Sequence, residues 1–358
     1  MLWLVLEWYG ATSEVPWLFL LAAWILALVV AAAAYAWWNR AGLWLQLAVR
    51  GNVPASGSPA EDLPESVLRS APQMAPVFEG DALELEVALH TRGSSRGPAW
   101  VEGQLNGRRV EFGAGLVPKK GWRRMKIVSE LRRGPVGATG WRVSTSDPLG
   151  FFTGRRPYAD SEVALVFPRF TSLAMRREPH ELQASLAAPR AGSGNELFGI
   201  REYRPGDSLR RIHWRSSARH GELVVREYEP PGVQTLAIFV DPAPSSLEIA
   251  DQIARIAASE AWDCIREGGR VVISASGGEP SESPRDLWSQ LEWLARYPAN
   301  CSPPSGELAA KPPEGLLVLI TAAPNADLVE VADRVWVVGD AAIDTDVPFE
   351  RVGLQWPL

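Results

Sequence analysis

The chain is poor in cysteine, in histidine and in net charge. Its 358 residues include two cysteines, Cys264 and Cys301. That is too few for a disulfide framework or a thiolate metal cage, and it fits a reducing compartment. With 36 Lys and Arg against 42 Asp and Glu, the formal charge is -6. No chain-wide positive field collects nucleic acid, so any anionic partner has to be met locally. Long apolar runs are scarce as well: the mean hydropathy of -0.06 excludes a polytopic transporter and leaves room for one or two spans. A phosphate-binding P-loop and a His-Glu-x-x-His pair are both missing, so this chain carries no recognisable apparatus for P-loop nucleotide hydrolysis or zincin-type hydrolysis. What remains is an ordinary globular composition, 46% hydrophobic and 22% charged, long enough at roughly 150 residues per domain for two modules with additions.

Tryptophan is unevenly placed. Of the 16 in the chain, Trp3, Trp8, Trp17, Trp24, Trp37, Trp38 and Trp44 all precede residue 45. Between Trp17 and Trp38 the sequence WLFLLAAWILALVVAAAAYAWW has no charge, and at about 1.5 Å per residue it can cross a hydrocarbon core of about 30 Å. Trp17 marks one end of this expected transmembrane helix, and Tyr35, Trp37 and Trp38 mark the other, as aromatic rings do at headgroup level. Glu7 and Glu14 lie before it, Arg40 and Arg50 after it. The positive-inside rule therefore predicts a single-pass protein of the cell membrane whose body is cytoplasmic. The competing reading is a cleaved signal peptide ending in the small residues 31–36. Against it stand the acidic flanks and a run longer than the usual apolar core of such peptides. Residues 1–8 are apolar enough to dip into the bilayer interface, and Leu43, Trp44, Leu45, Leu47 and Val49 read as an interfacial continuation or as packing on the next domain.

The soluble part divides by pattern. Residues 51–75 are rich in Pro, Gly and Ser and read as a linker that holds no helix. From 76 to 168, Leu83, Leu85, Val87 and Leu89 alternate with other residues after the turn Glu79-Gly80-Asp81. Short runs follow at 99–105, 108–112, 122–128, 140–145 and 163–167. Regular short strands of this kind predict a β-sandwich. From 234 to 358 the apolar runs 235–240, 270–274, 316–321 and 334–338 have the character of strands buried on both faces. Helical spacing appears at Ile249, Ile253, Ile256, Ala257 and Ala261, and again at Trp288, Leu291 and Leu294. That alternation predicts an α/β doubly wound sheet with its functional edge, including Asp241, at the strand C-termini.

Residues 169–233 join the two, and within them 192–229 is the most informative stretch. Six arginines (201, 204, 210, 211, 215 and 219) stand against Glu202 and Asp207, with Tyr203, His213 and Trp214 interleaved. Pro205-Gly206-Asp207 signals a turn, and Asp207 is suited to cap a helix over 208–218 that stacks Arg211, Arg215 and Arg219 on one face. Such a stripe fits phosphate, nucleotide or a carboxylate surface. It equally fits an internal lattice of ion pairs with Glu196, Glu202, Asp207 and Glu227. Cys264 falls in a helical pattern beside Trp262 and reads as core. His90 reads as the outward face of a strand, and His180 and His220 as loop residues.

The order Gly194, Glu196 with Phe198, Arg201, Tyr203, Gly206, Asp207, Arg210, Ile212, Trp214, Ala218, Arg219, Leu223 and Val225 closely resembles the core motif of domain-of-unknown-function family 58. The Asp147-Pro148-Leu149-Gly150-Phe151-Phe152 turn and Val166-Phe167-Pro168 are similar to its further signatures. Leu197 departs from the pattern, which places the aromatic directly after the glutamate. The resemblance implies a membrane-anchored bacterial protein, commonly associated with a MoxR-type AAA+ ATPase, whose C-terminal region is von Willebrand factor A-like. It implies no catalytic activity. An A-type domain would hold Mg²⁺ on an Asp-x-Ser-x-Ser loop. Here the loop is Asp241-Pro242-Ala243-Pro244-Ser245, with Ala243 in place of a ligand and Ala322 and Ala323 where a later strand usually offers a carboxylate. Asp241 and Ser245 are thus weak metal candidates, no cofactor is expected, and the bland role for Asp241 is to cap the following helix.

The expectation drawn from all this is a membrane-tethered, non-enzymatic scaffold. It combines a transmembrane helix, a β-sandwich and an α/β doubly wound, von Willebrand factor A-like domain. It would contact the lipid bilayer and a MoxR-type AAA+ ATPase but no nucleic acid. Its binding residues would be Glu196, Arg201, Tyr203, Asp207, Arg210, Trp214, Arg215 and Arg219. Two alternatives stand beside it: an envelope enzyme or ligand-binding protein with a cleft lined by Arg201, Asp207, Arg210 and His213, and an adhesion-type module in which Asp241 and Ser245 meet a further carboxylate on Mg²⁺.

Overall fold

The chain begins as two helices, α1 (Leu2–Ser13) and α2 (Pro16–Ala41), which pack against each other. They belong to a computed structural model that describes residues 2–13, 16–72, 76–176, 197–202, 217, 224–228, 235–276, 278–301 and 315–358. Contacts divide the chain into two compact units, Met1–Phe167 and Pro168–Leu358. At 12 residues α1 is about 18 Å long, short of a hydrocarbon core. Helix α2 is different: Trp17–Ala41 has a mean hydropathy of 2.5 over its most apolar window, and only 17% of that window is buried. It is long and apolar enough to cross a membrane, and it exposes Trp17, Leu20, Leu21, Val29 and Val30 around its circumference, as a lipid-facing helix does.

A single turn at Gly42 leads from α2 into β1 (Leu43–Val53). Of the two readings of this stretch, packing on the next domain holds, and the interfacial segment followed by a linker is corrected. Leu43 belongs to the core of the first unit, and Leu45, Leu47 and Val49, partly buried, pack against it. β1 runs antiparallel to β3 over its whole length. The stretch expected to hold no helix contains two short ones, α3 (Pro59–Asp62), capped by Ser58, and α4 (Glu65–Arg69). Their entry is fixed by Asp81, fully buried, whose carboxylate accepts from the Ala55 amide (2.9 Å), the Ser58 hydroxyl (3.1 Å) and the Phe78 amide (2.9 Å). A buried carboxylate with three donors ties a Pro- and Ser-rich strip to the body without needing apolar periodicity.

The strands that follow are β2 (Val77–Phe78), β3 (Ala82–Thr91), β4 (Ala99–Leu105), β5 (Arg108–Ala114), β6 (Trp122–Val128), β7 (Gly134–Ser146), β8 (Thr153–Pro157) and β9 (Ser161–Phe167). β1, β3 and β6 form one antiparallel sheet. The second has the order β2-β9-β7-β4-β5, with β8 on the distal half of β7. Leu83, Leu85, Val87 and Leu89 of the first sheet and Val101, Leu105, Val136, Trp141 and Val143 of the second share one hydrophobic core. Period-two alternation thus buries one face of each sheet.

In the second unit, residues 168–176 run along the helix α5 (Leu247–Arg266). Its fully buried Asp263 accepts from the Ser172 hydroxyl (2.7 Å) and the Leu173 amide (2.8 Å). β10 (Leu197–Glu202) and β11 (Val224–Tyr228) form an antiparallel pair. The remaining strands are β12 (Thr235–Val240), β13 (Arg270–Ala275), β14 (Gly315–Thr321), β15 (Arg334–Val338) and β16 (Phe349–Val352). They make an all-parallel sheet in the order β13-β12-β14-β15-β16. Helices α5 and α6 (Leu287–Arg296) pack together and α5 covers the face carrying Ile238, Ile320 and Trp336, whose indole donates to Glu260 of α5 (2.9 Å). The short helix α7 (Ala326–Val331) and residues 341–347 cover the other face over Phe239, Leu317, Leu319 and Val337.

Candidate functional site

In a parallel sheet the strand order reverses direction at one place, and loops leaving the C-terminal ends of the two strands there diverge and open a crevice. Here that place lies between β12 and β14, and the residues that end those strands are Asp241 and Thr321. Asp241 accepts from the Ala243 amide through one carboxylate oxygen (3.0 Å) and from the Thr321 hydroxyl through the other (3.5 Å). Thr321 in turn accepts from the Ala323 amide (3.0 Å). These are the local turns that short polar side chains make where a strand gives way to a loop.

Tyr297, at the end of α6 and 2% exposed, donates its hydroxyl to the Asp241 carbonyl (2.5 Å) and stacks on Trp293. Asn300 donates to the Trp293 carbonyl (3.0 Å), and beside it stands Cys301. Burial, with a further contribution from the negative charge of Asp241, pushes the Cys301 thiol up to about 11. A thiol with that value is protonated at neutral pH and is a poor nucleophile. At pH 8, alkylation of Cys301 by iodoacetamide should therefore run roughly two orders of magnitude slower than that of a free cysteine. Asp241→Asn should accelerate it by removing the nearby charge. Mass spectrometry of the peptide carrying Cys301 reads both rates, and a rate equal to that of the free thiol would contradict this placement.

The expected cap role of Asp241 is corrected. The N-cap of α5 is Ser246, whose hydroxyl accepts from the Ile249 amide (3.2 Å), one residue beyond Ser245 and five beyond Asp241. Among the described residues no group of three or more His, Cys, Asp or Glu side chains converges in a way that could hold a metal ion. On the same edge of the sheet, the segments after β14 and β15 border an open hollow of about 460 Å³ lined in part by Pro324, Glu330, Ile343, Asp344 and Asp346. Sequence pattern does not signal it, because its walls come from the short helix α7 and the irregular residues 342–347.

Of the arginine-rich segment, Arg201 lies on β10 opposite Val225 of β11. Glu196, Tyr203, Asp207, Arg210, His213, Trp214, Arg215 and Arg219, together with the helix expected over 208–218, lie outside the described residues save Ser217, which is buried. The outward strand position expected for His90 is found: it is half-buried, stacked on Trp44 and bonded to Gln46 (3.0 Å). Cys264 is half-buried on α5, its thiol directed at the Arg270 carbonyl (3.7 Å).

The chain is 24% identical over 168 residues to the uncharacterized protein YeaD of Bacillus subtilis (strain 168), a match covering 45% of this chain and 42% of that protein. Residues 199–288, which run from the β10 strand through α5 and β13 to the start of α6, match the family described as protein of unknown function DUF58, the family whose motif the arginine-rich segment resembles.

Proposed function

We propose that this protein is a non-enzymatic, membrane-tethered scaffold that docks a cytosolic partner, with a MoxR-type AAA+ ATPase as that partner. On this reading α2 crosses the membrane once, the first unit is a β-sandwich standing at the cytoplasmic surface, and the second is a degenerate von Willebrand factor A-like domain that presents the Asp241 edge and the arginine-rich segment.

The observation that carries the reading is the junction between α2 and the first unit. Asn39, fully buried, accepts from the Gly97 amide (3.0 Å) and donates to the Ser146 carbonyl (3.5 Å). Tyr35 donates to the Gly97 carbonyl (2.7 Å). Arg96 donates to the Trp38 carbonyl (2.7 Å) with its guanidinium carbon 3.2 Å from the centre of the Trp38 ring. An apolar helix fused to a folded body without a flexible linker is a mount, which suits a component that holds others in place. The exposed Arg40, Arg92, Lys119 and Lys120 gather on the side of the helix end, which supports a cytoplasmic body under the positive-inside rule.

The reading is tested by affinity purification of the tagged full chain in detergent, with ATP and Mg²⁺ and after nucleotide depletion. Purified MoxR-type ATPase is then added back to the immobilised chain. Saturable, stoichiometric retention that is lost with Arg215→Glu is the expected result. Retention of the ATPase at the level of a bare resin would overturn it.

A further inference from the structure

Among the described residues, the large apolar side chains that stand exposed in loops of the first unit are not spread over it. They are Leu116 (62% exposed), Leu149 (54%) and Phe151 (59%). All three lie at the end where α2 joins, in the β5–β6 loop and the β7–β8 turn. The loops at the opposite end, 79–81, 106–107 and 129–133, hold no exposed large apolar residue.

The three loops at the α2 end are connected to one another and to the helix. Asn39 of α2 reaches Gly97 in the β3–β4 loop and Ser146 at the start of the β7–β8 turn. Arg96 and Val117 exchange backbone hydrogen bonds (2.9 and 2.6 Å), which joins the β3–β4 loop to the β5–β6 loop beside Leu116. The β7–β8 turn is held rigid by Asp147. Its carboxylate, only 1% exposed, accepts from the Leu149 amide (2.8 Å) and the Phe152 amide (2.6 Å). Burial pushes the Asp147 carboxyl up, and the backbone amides of Phe152, Leu149, Asp147 and Gly150 more than offset that, so it ends below its ordinary value. The turn thus projects Leu149 and Phe151 while keeping its one carboxylate inside. Residues 92–98, 115–121 and 147–152 contain no other acidic residue, whereas Arg92, Lys119 and Lys120 are exposed among them and Arg40 closes the helix.

The depth follows from the helix. Trp37 and Trp38, 67% and 40% exposed, belong at headgroup level, and Asn39 is one and two residues further on, about 3 Å along the axis. The headgroup layer is about 5–7 Å thick on each side of the core. Loops bonded to Asn39 therefore emerge within that layer.

We propose that this end of the first unit is a second membrane contact: Leu116, Leu149 and Phe151 insert into the interfacial layer of the bilayer that α2 crosses, and Arg40, Arg92, Lys119 and Lys120 bind the anionic headgroups around them. The inference rests on the spanning role of α2. Charge complementarity and continuity with the helix end select lipid as the occupant, since apolar tips ringed by cations with no exposed carboxylate are the pattern of interfacial anchoring. The span holds the chain in the membrane, and this second, interfacial contact fixes the tilt of the body against the membrane plane.

The test uses the full chain reconstituted into phosphatidylcholine vesicles containing phosphatidylglycerol and a lipid with a headgroup-proximal nitroxide. Single cysteines carrying an environment-sensitive fluorophore are placed, in a Cys264→Ser, Cys301→Ser background, by Phe151→Cys, Leu116→Cys, Trp24→Cys and Ser129→Cys. Position 24 reports the span, and position 129 sits in the loop at the far end of β6, about 20 Å away. The expected result is quenching at 151 and 116 several-fold above that at 129, weakened when phosphatidylglycerol is omitted, with position 24 quenched throughout. Quenching at 151 and 116 no greater than at 129, with position 24 quenched, overturns the second contact, assigns the tips to water or a protein partner, and leaves the span intact. Position 24 no more quenched than 129 overturns the spanning role itself and this contact with it.

Discussion

Trp141→Ala is expected to lower the stability of the first unit by about 3–5 kcal/mol, as removal of a large buried aromatic does. Trp141 is 1% exposed at the centre of the core shared by the two sheets, and its indole donates to the Gln104 carbonyl (3.1 Å). The ring lies over Gly103 of the neighbouring strand β4, so closely that a Cβ there would come far inside van der Waals contact with the ring carbons. Truncation therefore removes the apolar area, leaves a cavity between the sheets and strands a carbonyl. At about 2–4 °C per kcal/mol for a unit of this size, the transition of the first unit should fall by about 6–20 °C in scanning calorimetry of the detergent-solubilised chain. The transition of the second unit should stay in place. Gly103→Ala should also destabilise, by overpacking rather than loss, typically about 1–3 kcal/mol. Because both act on one contact, Gly103→Ala combined with Trp141→Leu should cost less than the sum of the two single changes. A first-unit transition within a degree or so of the wild type for Trp141→Ala would mean that the ring is not packed as described.

How far each element was legible from sequence depends on whether its stabilising partners are local. Leu83, Leu85, Val87 and Leu89 announce β3 by alternation alone, and all four are fully buried. The apolar runs at 235–240 and 334–338 coincide with β12 and β15, because strands covered on both faces carry their signal in composition. β1 has the same alternation as β3, from Leu43 to Val49. It follows directly on an apolar helix, and there the eye assigns leucines to the bilayer. Nothing within 51–75 points to Asp81, whose three hydrogen bonds fix where that segment goes. At the sheet edge, Asp241 is legible as the residue after a buried strand. Its contacts are not: Tyr297 lies 56 residues away and Thr321 lies 80 away. The arginine-rich segment shows the reverse case, clear as a motif from Gly194 to Val225 while nearly all the side chains that compose it lie beyond the described residues.

Loosening the base of α2 is the second large effect to expect, and it should appear as geometry more than as melting. In Asn39→Leu the side chain keeps its branching and its number of heavy atoms but loses both polar ones. The buried Gly97 amide and Ser146 carbonyl are left without it, at about 1–3 kcal/mol for a buried group that loses its partner. Arg96→Met acts on the same junction from the other side. Arg96 is 6% exposed, donates to the Trp38 and Arg92 carbonyls (2.7 and 3.3 Å) and lies against the Trp38 ring. Burial holds its guanidinium below the ordinary arginine value. It stays charged, and a cation at the C-terminal end of a helix complements the unpaired carbonyls there. A desolvated cation–π contact together with a charge-assisted hydrogen bond makes its loss worth about 2–3 kcal/mol. Gly42, the turn between helix and strand, leaves the space that the guanidinium occupies: a Cβ at 42 would lie 2.6 Å from the Arg96 guanidinium carbon, so Gly42→Ala should displace Arg96 and resemble Arg96→Met. The first-unit core does not include these residues, so its transition should move less than in Trp141→Ala. What changes is the coupling of helix to body. Spin labels introduced by Trp24→Cys and Ser129→Cys, with Cys264 and Cys301 replaced by serine, should give a narrow distance distribution in the otherwise wild-type chain. The distribution should be clearly broadened in Asn39→Leu and in Arg96→Met. If it stays narrow in both, the junction is held by its other contacts, the Tyr35 hydroxyl on the Gly97 carbonyl among them, and a rigid mount would no longer depend on the polar contacts that Asn39 and Arg96 supply.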